Sequence, residues 1–297
     1  MLKRIIIVLI FAIILLISAT SLWYFNRPQP SPIERQALFE GVLYSRAVSQ
    51  NPPLLYHVIE VDLSVAGLEF FSTPADPIEG FDYTARTTSD FLEDYDLQIA
   101  INGDFFDPWY SYTPFNYYPH RGDGVNARGL AMADGDITSA GYAPDFSSTL
   151  YITADNQASF TRPNTDIQTA ISGNTMIVEN GEYAITNQND YLSNRHPRTA
   201  IALDENNQTL LLFVVDGRQP NYSIGATIPE LADVIIEHGG YSALNLDGGG
   251  SVAMVMADEN GDAHLLNSAI HTRIPYRERP IANHFGIFAP PVRTNTP

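Results

Sequence analysis

Asn245-Leu246-Asp247-Gly248-Gly249-Gly250-Ser251 sets one carboxylate and three consecutive glycines between two apolar runs, Ala243 to Leu246 and Val252 to Met256. Glycine is costly inside a strand, so three in a row mark a backbone that turns sharply or approaches a ligand closely. A tight loop between strands is the plain alternative, because Asp-Gly and Gly-Gly pairs are ordinary turn punctuation. The neighbouring chain decides between them.

Upstream, Thr199 to Leu203 and Thr209 to Val215 read as two strands joined by the polar turn Asp204-Glu205-Asn206-Asn207-Gln208, and the second runs into Asp216-Gly217-Arg218. A helix follows. Thr227 is placed as its N-cap with Glu230 three residues on, Leu231, Val234, Ile235 and His238 recur at helical spacing, and Gly239-Gly240 supplies the stop. Ser242 to Leu246 is then the strand that delivers Asp247. Taken as a parallel crossover, this strand-helix-strand unit brings both strand ends to one sheet edge, where open α/β sheets bind their ligands. Asp216, Arg218 and Asp247 are expected to converge there.

The remainder reads as a β-rich body. Tyr56 to Val65 and Leu97 to Ile101 alternate as strands, and Gly129 to Thr138 forms a hairpin around Asp134-Gly135. Between Asp107 and Gly124 the period breaks, and Pro108 to Arg121 is crowded with aromatics and prolines. Such a segment is either a packed loop or a wall on which sugar rings stack their C–H faces. Asp258-Glu259-Asn260-Gly261-Asp262 lacks the full spacing of a calcium loop and reads as a hairpin turn.

Composition bounds the function. The 297 residues carry a formal net charge of −18, which argues against nucleic acid, whose phosphates are neutralised by Lys and Arg. The chain has no cysteine, so disulfides, thiol nucleophiles and cysteine-ligated metals are excluded. Lys3 is the only lysine, so Schiff-base chemistry, Walker-type phosphate loops and Ser-x-x-Lys acyl transfer lack their required residue. Any anion must be held by Arg, His, backbone amides or a metal.

At the N-terminus, Lys3-Arg4 precede an apolar stretch from Ile5 to Phe25 that closes on Trp23-Tyr24 before Asn26-Arg27-Pro28. The length spans a bilayer, the basic pair favours a cytoplasmic start, and the aromatics suit the far interface. A cleaved signal peptide is the rival, although no Ala-x-Ala site follows. The expected fold class is α+β: a single β-rich domain with a mixed sheet and a βαβ crossover carrying the site, preceded by one N-terminal transmembrane helix. The expected division is an anchor at 1–27, a linker at 28–50, the main domain at 51–291 and a tail at 292–297.

Several motifs in order carry a family resemblance. Arg195-His-Pro-Arg-Thr-Ala-Ile-Ala202, Val215-Asp-Gly-Arg218, Ser223 to Ala232 and Asn245 to Ser251 resemble the phosphodiester glycosidase family, as do Ile101-Asn-Gly-Asp-Phe-Phe-Asp107 and Arg279-Pro-Ile-Ala-Asn283. The resemblance covers roughly residues 50 to 290. It implies cleavage between the anomeric carbon and a phosphate oxygen, so that a phosphate monoester departs and strong proton donation matters less than in ordinary glycosidases. It also implies a phosphate clamp, for which Arg198 and Arg218 are the candidates, aided by the amides of Gly248, Gly249 and Gly250. Asn102, Asn245, Ser251 and Asn283 are the remaining substrate-binding candidates. Asp247 is the leading catalytic carboxylate, with Asp216 and Asp104 as rivals.

One position departs from the family pattern. The residue after Asn102-Gly103 is small or uncharged there, whereas this chain has Asp104, with Asp107 three residues on. Two carboxylates beside a phosphate repel it unless a divalent cation, Ca²⁺ or Mg²⁺, bridges Asp104 or Asp107 to the phosphate or Asp104 points elsewhere. The leading expectation is an extracytoplasmic, membrane-anchored hydrolase of glycan phosphodiesters. The alternative is a non-catalytic carbohydrate-binding or envelope-assembly module on the same fold.

Overall fold

The computed structural model describes residues 2–144, 148–185 and 190–292. The expected tail lies, from residue 293 on, outside the described residues. Leu210-Leu-Leu-Phe-Val-Val215 shows why the centre folds as it does. A run that is apolar at every position suits a strand covered on both faces. Leu210, Leu212 and Val214 enter the main core with Ile201, Leu203 and Leu244, while Leu211, Phe213 and Val215 face Ile228, Leu231, Ala232 and Ile235 of the helix Ile228–Glu237.

That helix starts as the sequence requires. Thr227 Oγ1 accepts from the Glu230 amide at 3.3 Å, and the Thr227 amide donates to Glu230 Oε2 at 2.9 Å, a complete capping box. Leu231, fully buried beneath it, is a position where truncation to Ala costs about 2–5 kcal/mol.

The central sheet has eight strands in the order Ile33–Phe39, Val42–Gln50, Pro53–Asp62, Thr209–Val215, Arg198–Leu203, Ser242–Asn245, Thr175–Glu179 and Glu182–Tyr183. A five-stranded sheet containing Met254–Ala257, Ile99–Asn102, His284–Phe288 and Glu69–Ser72, and another containing Leu130–Ala133, Ile167–Gly173 and Ser148–Thr153, close the main core from its inner side.

Two expectations are corrected. The sheet is not mixed: the ladders between the described strands are antiparallel. The short turn after Leu203 folds Thr209–Val215 back against Arg198–Leu203 as a hairpin, so Ser242–Asn245 pairs with the other edge of Arg198–Leu203 and forms no parallel ladder with Thr209–Val215. Residues 33–50, expected within the linker, form two strands. Val42–Gln50 pairs with Pro53–Asp62 along its whole length and buries Val42 and Tyr44 in the core.

The N-terminal helix Leu2–Asn26 is long and apolar enough to cross a membrane, and among the described side chains its large hydrophobic ones from Ile5 to Leu16, with Leu22, Trp23 and Phe25, are exposed.

Candidate active site

Strands of two sheets end side by side, and Asn102 ties them together. Its Nδ2 donates to the Asp247 carbonyl at 2.8 Å, while its Oδ1 accepts from Thr199 Oγ1 at 2.7 Å and from the Ala253 amide at 3.2 Å. The Asp247 amide donates to Gly103 O at 3.1 Å, and the Gly249 amide to Pro197 O at 2.9 Å. The triglycine loop is thereby fixed to both sheets.

Above it lies a cavity of about 660 Å³. Its wall carries four arginines, Arg128, Arg218, Arg273 and Arg279, and a single carboxylate, Asp247, among the described residues. The glycines explain themselves here. Gly249 has a φ of +66°, and a Cβ there would lie 2.8 Å from Arg218 Nη2; at Gly250 a Cβ would lie 2.6 Å from Arg279 Nη2. Two guanidinium groups therefore rest against bare backbone, which only glycine permits.

Asp247 is held by short bonds: Oδ1 accepts from the Gly248 amide at 2.8 Å and Oδ2 from Ser251 Oγ at 2.5 Å. Burial pushes its pKa above the ordinary carboxylate value, against the pull of Arg279, Ser251 and the Gly248 amide. Arg279 donates from Nη1 to Ser251 Oγ at 3.2 Å and from Nε to His271 Nδ1 at 3.3 Å, and its guanidinium lies 4.9 Å from the centre of the Trp109 ring. Burial foremost, and then the repulsion of Arg279 and Arg273, lower the pKa of Arg218. His196, also on the wall, is pushed down to about 4 by burial and by Arg198 and Arg218, so it is neutral at pH 7.

The structure brings together only part of the expected set. Asp247, Arg218 and the three glycines line the cavity, and Ser251 sits directly behind Asp247. Asp216 does not converge with them. Its Oδ1 accepts from the Ser268 amide at 2.9 Å and from Asn267 Nδ2 at 3.1 Å, and its Oδ2 lies 3.4 Å from His57 Nε2. Arg198 is fully buried and donates to the carbonyls of Ala226 at 3.0 Å and Asn194 at 2.8 Å. It braces the helix entry instead of facing the cavity.

Asn245 donates to Asn174 Oδ1 at 2.7 Å, and Asn283 Oδ1 accepts from the Asp104 amide at 2.9 Å, so both support the loops from behind. The expected three-amide cradle is also reduced, because the Gly248 and Gly249 amides are bonded within the loop. Among the described residues the Gly250 amide has no such bond.

The two carboxylates considered for a cation are already engaged. Asp104 accepts from the amides of Phe105 at 2.7 Å and Gly129 at 2.6 Å, and burial raises its pKa well above the usual range. Asp107 is paired with Arg128 through two bonds of 2.6 and 2.9 Å and accepts from Tyr142 Oη at 2.7 Å. No cluster of three or more His, Cys, Asp or Glu that could hold a metal ion occurs among the described residues.

Arg279, Arg128, Arg273 and His196 were missed as site residues. Arg279 and His196 stand inside motifs already quoted, and that membership was the available signal. Arg128 and Arg273 carry no local signature. The aromatic segment forms the hairpin of Tyr110–Thr113 and Asn116–Tyr118, which with Trp109 supplies Ser111, Tyr112, Thr113 and Pro114 to the wall.

One carboxylate facing several arginines on antiparallel sheets defines an anion-accepting pocket. The chain belongs to the phosphodiester glycosidase family, whose profile matches residues 95–288. The zebrafish N-acetylglucosamine-1-phosphodiester alpha-N-acetylglucosaminidase catalytic domain, auto-inhibited by its pro-peptide, is similar in fold, with a TM-score of 0.60 and 20% identity over 88% of this chain and 87% of that one. A hypothetical protein from Synechocystis has a TM-score of 0.55 at 15% identity over 88% and 64% of the two chains. A putative exported protein from Burkholderia pseudomallei has 0.54 at 16% over 80% and 74%. No curated protein matches the sequence.

Proposed function

We propose that this protein is a membrane-anchored hydrolase of glycosyl phosphodiesters, acting outside the cytoplasm. The observation that carries the reading is the wall of the cavity: four arginines and one carboxylate in a chain of net charge −18. Hydrolysis of an ordinary glycoside uses two carboxyl groups, one of them to protonate the leaving oxygen. A phosphate monoester leaves without strong protonation, so one carboxylate suffices where positive charge receives the departing group.

In this reading Arg218 and Arg279 hold the phosphate through their planar forks, with the Gly250 amide beside them. The substrate phosphate relieves the repulsion between the arginines. Asp247, oriented by Gly248 and Ser251, keeps further lone pairs for the reaction and either activates water or attacks the anomeric carbon. Neutral His196 adds no competing charge. Trp109 and Tyr112 offer faces for the sugar. The family assignment and the substrate named for the zebrafish enzyme support this chemistry. The N-terminal helix, with Lys3-Arg4 in its first turn and Trp23-Tyr24 in its last, supports the anchor and its orientation.

The test is to incubate the purified chain with a panel of sugar-1-phosphodiesters and follow free sugar and phosphate monoester separately. Both are expected in equal amounts. Saturable binding without turnover would identify a carbohydrate-binding module instead.

A further inference from the structure

The last turn of the N-terminal helix is bonded to the loop that carries Arg218. Tyr24 Oη donates to the Arg218 carbonyl at 2.9 Å, and Asn221 Nδ2 donates to the Phe25 carbonyl at 2.8 Å. Arg27, only 7% exposed, sets its guanidinium 3.4 Å from the centre of the Tyr222 ring and 4.9 Å from that of Tyr276. Tyr276 follows Thr272 and Arg273 of the cavity wall, and Arg277 next to it donates to the Pro114 carbonyl at the tip of the aromatic hairpin at 2.9 Å. Helix end, arginine loop and hairpin form one continuous set of contacts.

This fixes the height of the site. Trp23 and Tyr24 mark the interfacial layer of a spanning helix, and lipid phosphates occupy the same layer. Arg218 is held there by one hydrogen bond from Tyr24. Around the mouth, Phe115 is 94% exposed and Tyr112 77%, with Tyr276 at 55% and Trp109 at 50%. An exposed apolar group is ordinary by itself, but aromatics gathered next to a membrane helix suit the headgroup boundary.

Resting on the reading above, we propose that the substrate is a lipid-carried glycosyl phosphodiester taken from the bilayer that holds the helix. The sugar enters the cavity, the phosphate meets Arg218 and Arg279, and the lipid chain leaves between the helix end and the hairpin. The bond between the anomeric carbon and the phosphate oxygen breaks with its electron pair on that oxygen. Water supplies hydroxide to the carbon and a proton to the medium, leaving a lipid monophosphate in the membrane and a free sugar.

The height is tested without any substrate. The chain has two tryptophans, Trp23 and Trp109, so full-length Trp23→Phe in phosphatidylcholine–phosphatidylglycerol vesicles with brominated acyl chains reports on Trp109 alone. Loss of its emission relative to unbrominated vesicles is expected, and Trp109→Phe should show the same loss at Trp23. Undiminished Trp109 emission overturns the proposal. Its substrate is tested in the same vesicles with one sugar phosphate esterified to a long isoprenoid alcohol or to methanol. Confinement to the membrane should favour the isoprenoid ester by about tenfold or more in kcat/KM, and Phe115→Ser should shrink that ratio. Equal rates overturn the lipid assignment and leave the glycosyl phosphodiester reading standing; cleavage of neither ester removes that reading and the lipid assignment with it.

Discussion

Ser251 donates its hydroxyl to Asp247 Oδ2 at 2.5 Å while accepting from Arg279 at 3.2 Å. The carboxylate and the arginine of the cavity wall to which the proposed function gives the reaction and the phosphate thus share one oriented hydroxyl. Asp247→Asn keeps the size and part of the bonding but cannot act as base or nucleophile. It is expected to abolish turnover with a Tm near that of the parent. Ser251→Ala should lower kcat about tenfold, the value of one hydrogen bond to a charged group. Steady-state kinetics beside thermal unfolding separate the two effects.

The arginines should divide into two kinds. Arg218→Ala and Arg279→Ala each remove a charge-assisted bond to phosphate worth about 1.5–3 kcal/mol, so kcat/KM should fall roughly tenfold to a few hundredfold. Lysine should restore only part, lacking the bidentate fork. Arg218→Ala should not lower stability, because it relieves repulsion from Arg279 and Arg273. Arg198→Ala should behave oppositely: it strips donors from the buried Ala226 and Asn194 carbonyls and should cost about 1–3 kcal/mol on unfolding.

The glycines can be tested separately. Gly249→Ala places a side chain at a φ of +66° and against Arg218, so both stability and activity should drop. Gly250→Ala meets only the far end of Arg279, at 2.6 Å, and Gly250 is outside the left-handed region. Its fold should survive while phosphodiester turnover falls, read as a raised KM with a nearly unchanged Tm.

These elements also show what the sequence could carry. The capping box at Thr227 and Glu230, the run Leu210 to Val215 and the turn at Asp258 are decided by neighbours a few residues away, and each was legible. The antiparallel order was not, because it depends on which edge of Arg198–Leu203 the returning chain finds occupied. The glycine-rich settings of Asp247 and Arg218 single them out in the sequence, and both side chains line the cavity. Asp216 and Arg198 share those motifs, yet a motif does not say which way a side chain turns. Residues 33–50 have no strong alternation, and their pairing is set by the strand Pro53–Asp62 they lie against.

Stability should depend on pH through buried groups of opposite sign. Burial, aided by Arg279 and Arg86 respectively, pushes His271 and His284 down to about 3. The unfolded chain binds those protons near pH 6.5. Their contribution is therefore present above pH 6.5 and lost as pH falls towards 3, by about 1.4 kcal/mol per pH unit for each histidine. Asp104, raised by burial and by Asp247, works the other way: its contribution is lost as pH rises from about 4 through its native value. Denaturant unfolding across pH should show a flatter acid limb in His284→Gln and a flatter decline with rising pH in Asp104→Asn.

The central claim is that the bond broken joins the anomeric carbon to the phosphate oxygen. Hydrolysis of a defined sugar-1-phosphodiester in ¹⁸O-labelled water, read by mass spectrometry, tests it directly. The account predicts the label in the free sugar and an unlabelled phosphate monoester. Label in the phosphate would mean attack at phosphorus, and would contradict the assignment of Asp247 and of the arginines around it.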